Sequence, residues 1–432
     1  MKIKLPLIVL LSALFSGPVY SQKIISLKEC YDMAIKKSSI AGEKDAYSSI
    51  WQLKDKNLSK NWLPSLDANA SFNYNSEVID LGGVFSSLPI PGLAGAIKPL
   101  PHEQYKVTLD INQMLYDGGS IKKAKAVEEA DLKVNQQQTE SDLYKLKSQL
   151  NSCYFSILLI DRQKELMTNY LNLINKRLKS MQSAVDNETI IKSDIDVMMS
   201  EKIKIEQQLS ELDIKKTSLL SVLSDLTGTI FGNETSLVLP HTIDESGKEL
   251  SRPELKAFDY KKDQLEAGLG VLQSKRMPKA FGFATLGYGN PPGSNFFRNE
   301  FAPYYIVGAG IKWNIYDWDR VKNEKQQIKI QQGMLENRKS DMADNLKRSL
   351  ELKRSEINSL QSAISNDSLL ITLRKRITAT SESQYDNGTI TATELMNEMN
   401  SEKQVEVNYE IHRISLEMVK IEYINISGQE IK

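Results

Sequence analysis

Two cysteines in 432 residues, Cys30 and Cys153, are too few for a disulfide framework or for a zinc site built on thiolates. Histidine is as scarce. His102, His241 and His412 stand far apart, and no pair has metal-ligand spacing. Charge of one sign is also missing: 55 lysines and arginines balance 55 aspartates and glutamates, so no large basic field for nucleic acid is expected. There is no histidine–carboxylate cluster of useful spacing, no phosphate-cradling glycine loop and no nucleophile elbow; Gly287-Tyr288-Gly289 reads as a loop. Catalytic residues, metal ligands and cofactors are therefore expected to be none. No stretch after the N-terminus approaches ~18 uninterrupted apolar residues, which excludes a transmembrane helix but leaves a β-barrel open. A hydrophobic content of 41% suits a folded protein and is low for a helical membrane protein.

What the chain does have is a seam. Leu143, Leu146, Leu150, Cys153, Ile157, Ile160, Lys164, Met167, Leu171, Ile174, Leu178, Met181 and Val185 recur at alternating steps of three and four, and only Lys164 is polar. That is the heptad signature of a helix lying along a partner. Cys153 on this seam reads as a small buried residue. No proline occurs between Asp117 and Val185, so the helix is expected from near Gly119. It would be on the order of 100 Å long at ~1.5 Å per residue.

The seam returns 200 residues later as Ala343, Leu346, Leu350, Ile357, Leu360, Ile364, Ile371 and Tyr385, interrupted by Lys353, Asp367, Arg374, Thr378 and Ser381. Its flanks return at the same offset. Leu115-Tyr116-Asp117 answers Ile315-Tyr316-Asp317, and Asp186-Asn187 with Thr189-Ile190 answers Asp386-Asn387 with Thr389-Ile390. The shared offset predicts an internal duplication rather than two unrelated long helices.

Residues 1–21 read as a secretory signal: Lys2 and Lys4, an apolar core from Leu5 to Phe15, then Val19-Tyr20-Ser21 with cleavage before Gln22. The first repeat is expected over 22–228, a joint over 229–250 and the second repeat over 251–432. Ser26-Leu27-Lys28-Glu29 predicts a capping box opening a helix that runs to about Lys60. Ser251-Arg252-Pro253-Glu254 predicts a second, opening a helix to about Lys275. Helical hairpins follow over 118–228 and 318–425, turning at Asp186-Asn187 and at Asp386-Asn387-Gly388.

Between helix and hairpin the period becomes two, in strand pairs over 64–114 and 279–316. Leu66, Ala68, Ala70, Phe72 and Tyr74 alternate with Asp67, Asn69, Ser71, Asn73 and Asn75; Val107, Leu109 and Ile111 alternate with Lys106, Thr108, Asp110 and Asn112. This is the length and pattern of a barrel strand with lipid on one side and water on the other. A half-buried sheet in a soluble domain fits the same alternation. In the second pair Tyr305, Val307, Ala309, Ile311 and Trp313 keep the outward register, while Phe281 and Phe283 fall on the expected inner face. Four strands cannot close a lipid-spanning barrel, which needs at least about eight, so several chains would have to pool them.

The signal segment, the Ser26 helix, Leu63-Pro64-Ser65, the Tyr116-Asp117-Gly118-Gly119 junction, Arg252-Pro253-Glu254-Leu255 and the Tyr385-Asp386-Asn387-Gly388-Thr389 tip together resemble the TolC-like outer-membrane efflux (channel-tunnel) family over about residues 22–432. The resemblance implies a mainly α fold with a small β part: a long α-helical coiled-coil barrel, plus four strands per chain in a trimeric 12-stranded transmembrane β-barrel. It implies a homotrimer in outer-membrane lipid with helices extending into the periplasm. Such a duct is passive and works with a periplasmic adaptor (membrane-fusion protein) and an inner-membrane pump of RND or ABC type. By similarity, adaptor contacts fall on Asn187, Glu188, Thr189, Asn387, Gly388 and Thr389, and the periplasmic gate on Asp194, Glu394 and Asn397. The family's acidic residue is replaced by Asn397 here. Glu394 has two readings, a gate residue or one half of a Thr391–Glu394 capping box.

Two other classes share features with this chain. A periplasmic adaptor also has a signal and a long hairpin, but normally one hairpin per chain. A structural periplasmic coiled coil has no use for the period-two strands. Neither cargo nor partner identity is written in the composition.

Overall fold

The computed structural model describes residues 24–80, 99–187, 191–240, 249–295 and 297–431. The expected signal segment, residues 81–98 within the first strand pair, His241 and the tip residues Glu188 and Thr189 lie outside the described residues.

In chain order the elements are β1 (Ile24–Ile25), α1 (Leu27–Lys37), α2 (Glu43–Lys60), β2 (Ser65–Tyr74), β3 (Glu103–Tyr116), α3 (Ser120–Asp186), α4 (Lys192–Thr227), β4 (Ser236–Leu237), α5 (Pro253–Ser274), β5 (Lys279–Asn290), β6 (Ala302–Lys312), α6 (Arg320–Asp386) and α7 (Ala392–Ser427). The two long helices have 67 residues each and the two return helices 36 each. Adding 200 to the bounds of α3 and α4 gives those of α6 and α7. At ~1.5 Å per residue each long helix measures about 100 Å. No helix among the described residues is long and apolar enough to cross a membrane.

The chain divides into two compact units. The first holds residues up to Glu43, Gln138–Lys256 and Lys339–Lys432. Here the first seam is buried: Leu143, Leu150, Cys153, Ile157, Ile160, Ile174 and Met181 all face inward. One core gathers α1, α3, α4 and α7 around Tyr154, Phe155, Ile157, Leu220, Leu223 and Ile421. Burial pushes the Cys30 thiol in this core up to about 12, so it stays protonated and acts as a small apolar residue. The Tyr154 hydroxyl lies 2.9 Å from the Ile25 carbonyl and 2.6 Å from that of Val238, beside the parallel pair β1–β4. That pair joins the N-terminus to the inter-repeat joint, and two-residue strands leave no periodicity to read.

The charged breaks in both seams have partners on the return helix. Lys164 of α3 is bonded to Asp213 of α4, and Lys216 of α4 lies 2.6 Å from Asp161. In the second hairpin Lys353 meets Glu422 at 2.7 Å, Asp367 meets His412 at 2.6 Å and Arg374 meets Glu398 at 2.9 Å. An isolated buried charge is costly and a matched one is tolerated, so the weaker second seam is held in register by pairs in place of leucines. Thr378 and Ser381 are buried without such a match.

Two expectations for the short helices need correction. The helix expected from Ser26 to about Lys60 is broken: Ser38 is extended (ψ 126), a 3-10 turn covers Ser39–Gly42, and α2 starts at Glu43. The weak formers Ser38, Ser39 and Gly42 cluster at the break. The Ser26–Glu29 capping box is present. The Ser251–Glu254 box is not. The Ser251 hydroxyl donates to the Gly428 carbonyl at 2.7 Å, and the Glu254 carboxylate accepts from Arg252 at 2.5 and 3.0 Å. Helix α5 instead starts on Pro253, whose missing N–H is harmless at a first helical position.

The second unit, Lys44–Gln137 and Ala257–Arg338, carries one antiparallel sheet in the order β2-β3-β5-β6. Helix α2 is fixed along α3 by Lys54–Glu128 at 2.7 Å and Lys125–Asp55 at 2.9 Å; α5 is joined to α6 by Lys262–Glu336 at 3.1 Å and, just past its end, by Lys275–Glu324 at 2.9 Å. At each strand-to-rod junction two consecutive residues are left-handed: Gly118 (φ 68) and Gly119 (φ 80), then Trp318 (φ 54) and Asp319 (φ 59) at the same offset. A Cβ on Gly118 would crowd Met277. Asp117 caps the first rod through the amides of Gly119 (2.8 Å) and Ile121 (2.6 Å), and Asp317 caps the second through Val321 (3.1 Å).

Truncating the first seam should therefore be expensive. Ile157→Ala, at a fully buried position, is expected to cost about 2–5 kcal/mol. Lys145→Ala, which breaks an exposed pair with Asp142, should cost under about 1 kcal/mol. The shift of the helical melting curve at 222 nm checks both.

Candidate functional site

The hairpin tips lie in the first unit. A second core forms there from Ile174, Met181, Met198, Ile205, Ala392, Leu395, Met396 and Met399, with Tyr385 and Ile390 packed against it. The hairpins are thus fastened to each other just above their turns. Two polar contacts reinforce the join. Arg177 of α3 lies 2.7 Å from Asp386 at the end of α6, with its guanidinium 5.4 Å from the centre of the Tyr385 ring. Lys403 of α7 lies 2.9 Å from Glu201 of α4.

Asp194 is in the first turn of α4, half-buried, and its carboxylate acts on Tyr385. Burial chiefly, then Asp194, raises the Tyr385 hydroxyl above its ordinary value. Glu394 and Asn397 are exposed and one turn apart on α7, which puts them on one face of the helix. Asn387, Gly388 and Thr389 form the exposed second turn. Gly388 is left-handed (φ 70), the Asn387 side chain bonds the Ser383 carbonyl at 2.7 Å, and Thr389 bonds that of Gln384 at 2.8 Å. Asn187 makes the equivalent bond to Ser183 at 2.8 Å.

Of the two readings of Glu394, the capping box is formed. Its carboxylate accepts from the Thr391 amide at 2.8 Å and the Thr391 hydroxyl at 3.0 Å, while that hydroxyl accepts from the Glu394 amide at 3.2 Å. These bonds hold the Glu394 carboxyl below its ordinary value, the backbone bond first. The first hairpin has no such device: its cap position is Ile191, which offers no side-chain acceptor. Sequence reasoning missed Arg177. It lies on the polar side of the seam, and nothing in its spacing points across to a residue 209 positions away.

The sheet is the second functional element. Its register sets Leu66, Ile111, Ala284 and Val307 side by side; Ala68, Leu109, Leu286 and Tyr305 form the next row, and Ala70, Val107, Tyr288 and Pro303 the next. This face is apolar and bare: Tyr305, Val307 and Ile311 are 76, 73 and 77% exposed. Aromatic side chains bracket it. Phe72, Tyr105, Phe301 and Tyr288 adjoin one another at one end, and Trp313, Tyr316 and Trp318 follow β6 at the other. The opposite face is polar around Asp110, which accepts from Thr285 (2.6 Å), Asn69 (2.8 Å) and Thr108 (2.9 Å). Phe281 and Phe283 do point to that face, as expected from their register. Each ring lies over the glycine directly across on β6, Gly310 or Gly308, where a Cβ would collide with it. Among the described residues β2 and β6 each pair on one side only.

Residues 57–187 match the family model described as outer membrane efflux protein. That family is one of channels, not enzymes. The outer-membrane channel fold extends beyond the matched segment. The outer membrane protein VceC from Vibrio cholerae shares 12% identity at a TM-score of 0.64, over 94% of this chain and 97% of that one. The open-state MtrE outer membrane channel of Neisseria gonorrhoeae shares 14% at 0.65, over 94% and 89%. The Campylobacter jejuni CmeC outer membrane channel shares 12% at 0.61, over 93% and 85%. These likenesses establish that the chain has the mainly helical fold with a small sheet found in those outer-membrane channels. A search of curated proteins finds no match.

The tip geometry fixes a pH dependence. Because the folded Glu394 carboxyl is lowered, the box's contribution is full above the ordinary glutamate pKa, near 4.5, and is lost as pH falls through the lowered value. Amide-exchange protection at the start of α7 should therefore hold from neutral pH to about 5 and fade only in stronger acid. Thr391→Ala should remove that protection at all pH values, at a cost of about 0.5–2 kcal/mol.

Proposed function

We propose that three copies of this chain pool their sheets into one 12-stranded barrel in the outer membrane and continue it into the periplasm with their long helices, forming the passive exit duct of a tripartite efflux or secretion system. The observation that carries this reading is the bare apolar sheet face between two aromatic groups, with both sheet edges unpaired among the described residues. In water such a sheet would aggregate through its edges and its face. In a bilayer, lipid covers the face and neighbouring chains satisfy the edges. Leu352, Leu369 and Leu373, exposed along α6, supply apolar surface for the same neighbours. The aromatic groups suit the two membrane–water interfaces.

In this reading Asn187, Glu188, Thr189, Asn387, Gly388 and Thr389 present the turns to an adaptor, and an RND- or ABC-type pump drives transport. Asp194, Glu394 and Asn397 line the periplasmic entrance, where three Glu394 carboxylates would attract cations. Capping and gating are compatible roles, since the capped carboxylate remains exposed. The Arg177–Asp386 pair holds the tips of one chain together, so parting the hairpins must break it. A free-standing periplasmic coiled coil or an adaptor leaves the exposed sheet without a purpose.

Leu286→Arg, in the middle of the apolar face, should cost about 2–4 kcal/mol in lipid. It is expected to deplete heat-modifiable trimers from the outer-membrane fraction, whereas Asn69→Arg on the polar face should leave them; a soluble periplasmic wild-type protein would overturn the duct. In planar bilayers Arg177→Ala should raise single-channel conductance, and Glu394→Ala should weaken block by divalent cations. Unaltered block would remove Glu394 from the gate.

A further inference from the structure

A cavity of about 320 Å³ opens where α3 of the first hairpin meets α6 and α7 of the second. Part of its wall is apolar: Leu166, Leu173 and Met399 together with the Tyr170 ring. The rest includes Thr378 and Tyr170, whose hydroxyls have no hydrogen-bond partner among the described residues. Thr378 is only 7% exposed. A buried hydroxyl left unpaired is costly, and cores rarely keep one without a reason. The equivalent position in the first rod is Leu178, which packs into the tip core. Among the seam breaks, Lys353, Asp367 and Arg374 are each answered from the return helix; Thr378 faces the cavity.

The charges around this space are unevenly matched. Lys403 is held by Glu201 at 2.9 Å and sits 4.7 Å from the centre of the Tyr170 ring. Glu406 is held by Lys375 at 2.9 Å. Glu402, which also lines the cavity, has no ion-pair partner among the described residues.

We propose that this cavity binds a small organic ammonium ion, with its apolar body against Leu166, Leu173 and Met399 and its charge on Glu402. The N–H donors of an ammonium suit the two hydroxyl oxygens and the carboxylate together. An anion would meet two carboxylates, and a purely apolar guest would leave both hydroxyls unpaired. The volume lies at the lower end for small-molecule sites, and an apolar wall with a few converging polar groups is their usual make-up. A guest touching α3, α6 and α7 straps one hairpin to the other. Any effect of that strap on opening rests on the channel reading; the binding does not.

The test is calorimetry on the full-length purified protein in non-ionic detergent, with 2-phenylethylammonium as probe and 2-phenylethanol and 3-phenylpropionate as neutral and anionic controls. Saturable binding of the ammonium is expected, at least about tenfold tighter than either control, as one partly screened ion pair allows. Glu402→Gln should weaken it by about the same factor. Thr378→Leu should abolish it by filling the space, with the helical circular dichroism retained. Equal affinity for all three probes, no saturation at millimolar concentrations, or unchanged binding in both variants would overturn the site. Because heat is measured whether or not the protein conducts, failure here and failure of the duct are separate results.

Discussion

A sheet of four strands has two edges, and here neither edge nor the apolar face finds cover among the described residues. Everything else in the molecule is consistent with that demand for neighbours. The register of the strands places Leu66, Ile111, Val307, Leu109, Leu286 and Tyr305 on one side, with Ile306 on the other, so a shift of one residue would send Leu109, Leu286 and Tyr305 to the polar side together. The aromatic groups at the strand ends and the carboxylate network on the reverse face follow from the same alternation. A half-buried sheet in a soluble domain, which the alternation alone also permits, would have hidden this face against helices.

The long helices solve a different problem, that of staying aligned over a great length. The first does so with apolar residues, seven of them buried and the other five half-buried. The second has a poorer seam and uses ion pairs to its return helix at Lys353, Asp367 and Arg374. Exposed ion pairs contribute little to stability. Matched pairs at intervals nevertheless penalise any sliding of one helix along the other, since each displaced charge loses its partner. The same logic, in the first hairpin, gives Lys164 its Asp213.

Much of this was legible in the residues. The seam, the 200-residue offset, the turns at Asn187 and Gly388 and the alternation of β2 and β3 are all written in local pattern, and burial follows the first seam while both faces of β2 stay exposed. Three things were not. The break at Ser38 is decided by weak local preferences that periodicity does not register. The failure of the Ser251 box depends on Gly428, from outside the motif, and on Arg252, within it, which engage its two side chains. The Arg177–Asp386 contact joins residues that only tertiary packing brings together. At the candidate tip site the sequence supplied Glu394 and Thr391 through their spacing, yet it could not choose between cap and gate, because the same four residues encode both.

The paired left-handed residues at the two strand-to-rod junctions do the same geometric job with unlike materials. Gly118 and Gly119 adopt that backbone freely, whereas Trp318 and Asp319 carry side chains that oppose it, by about 1–2 kcal/mol each. The first elbow is consequently a loose joint fixed by the contacts around it, and the second a sprung one whose tension must be restrained by the sheet and rod on either side. Torsional stress passed along the molecule would be absorbed by compliance at one elbow and transmitted stiffly by the other.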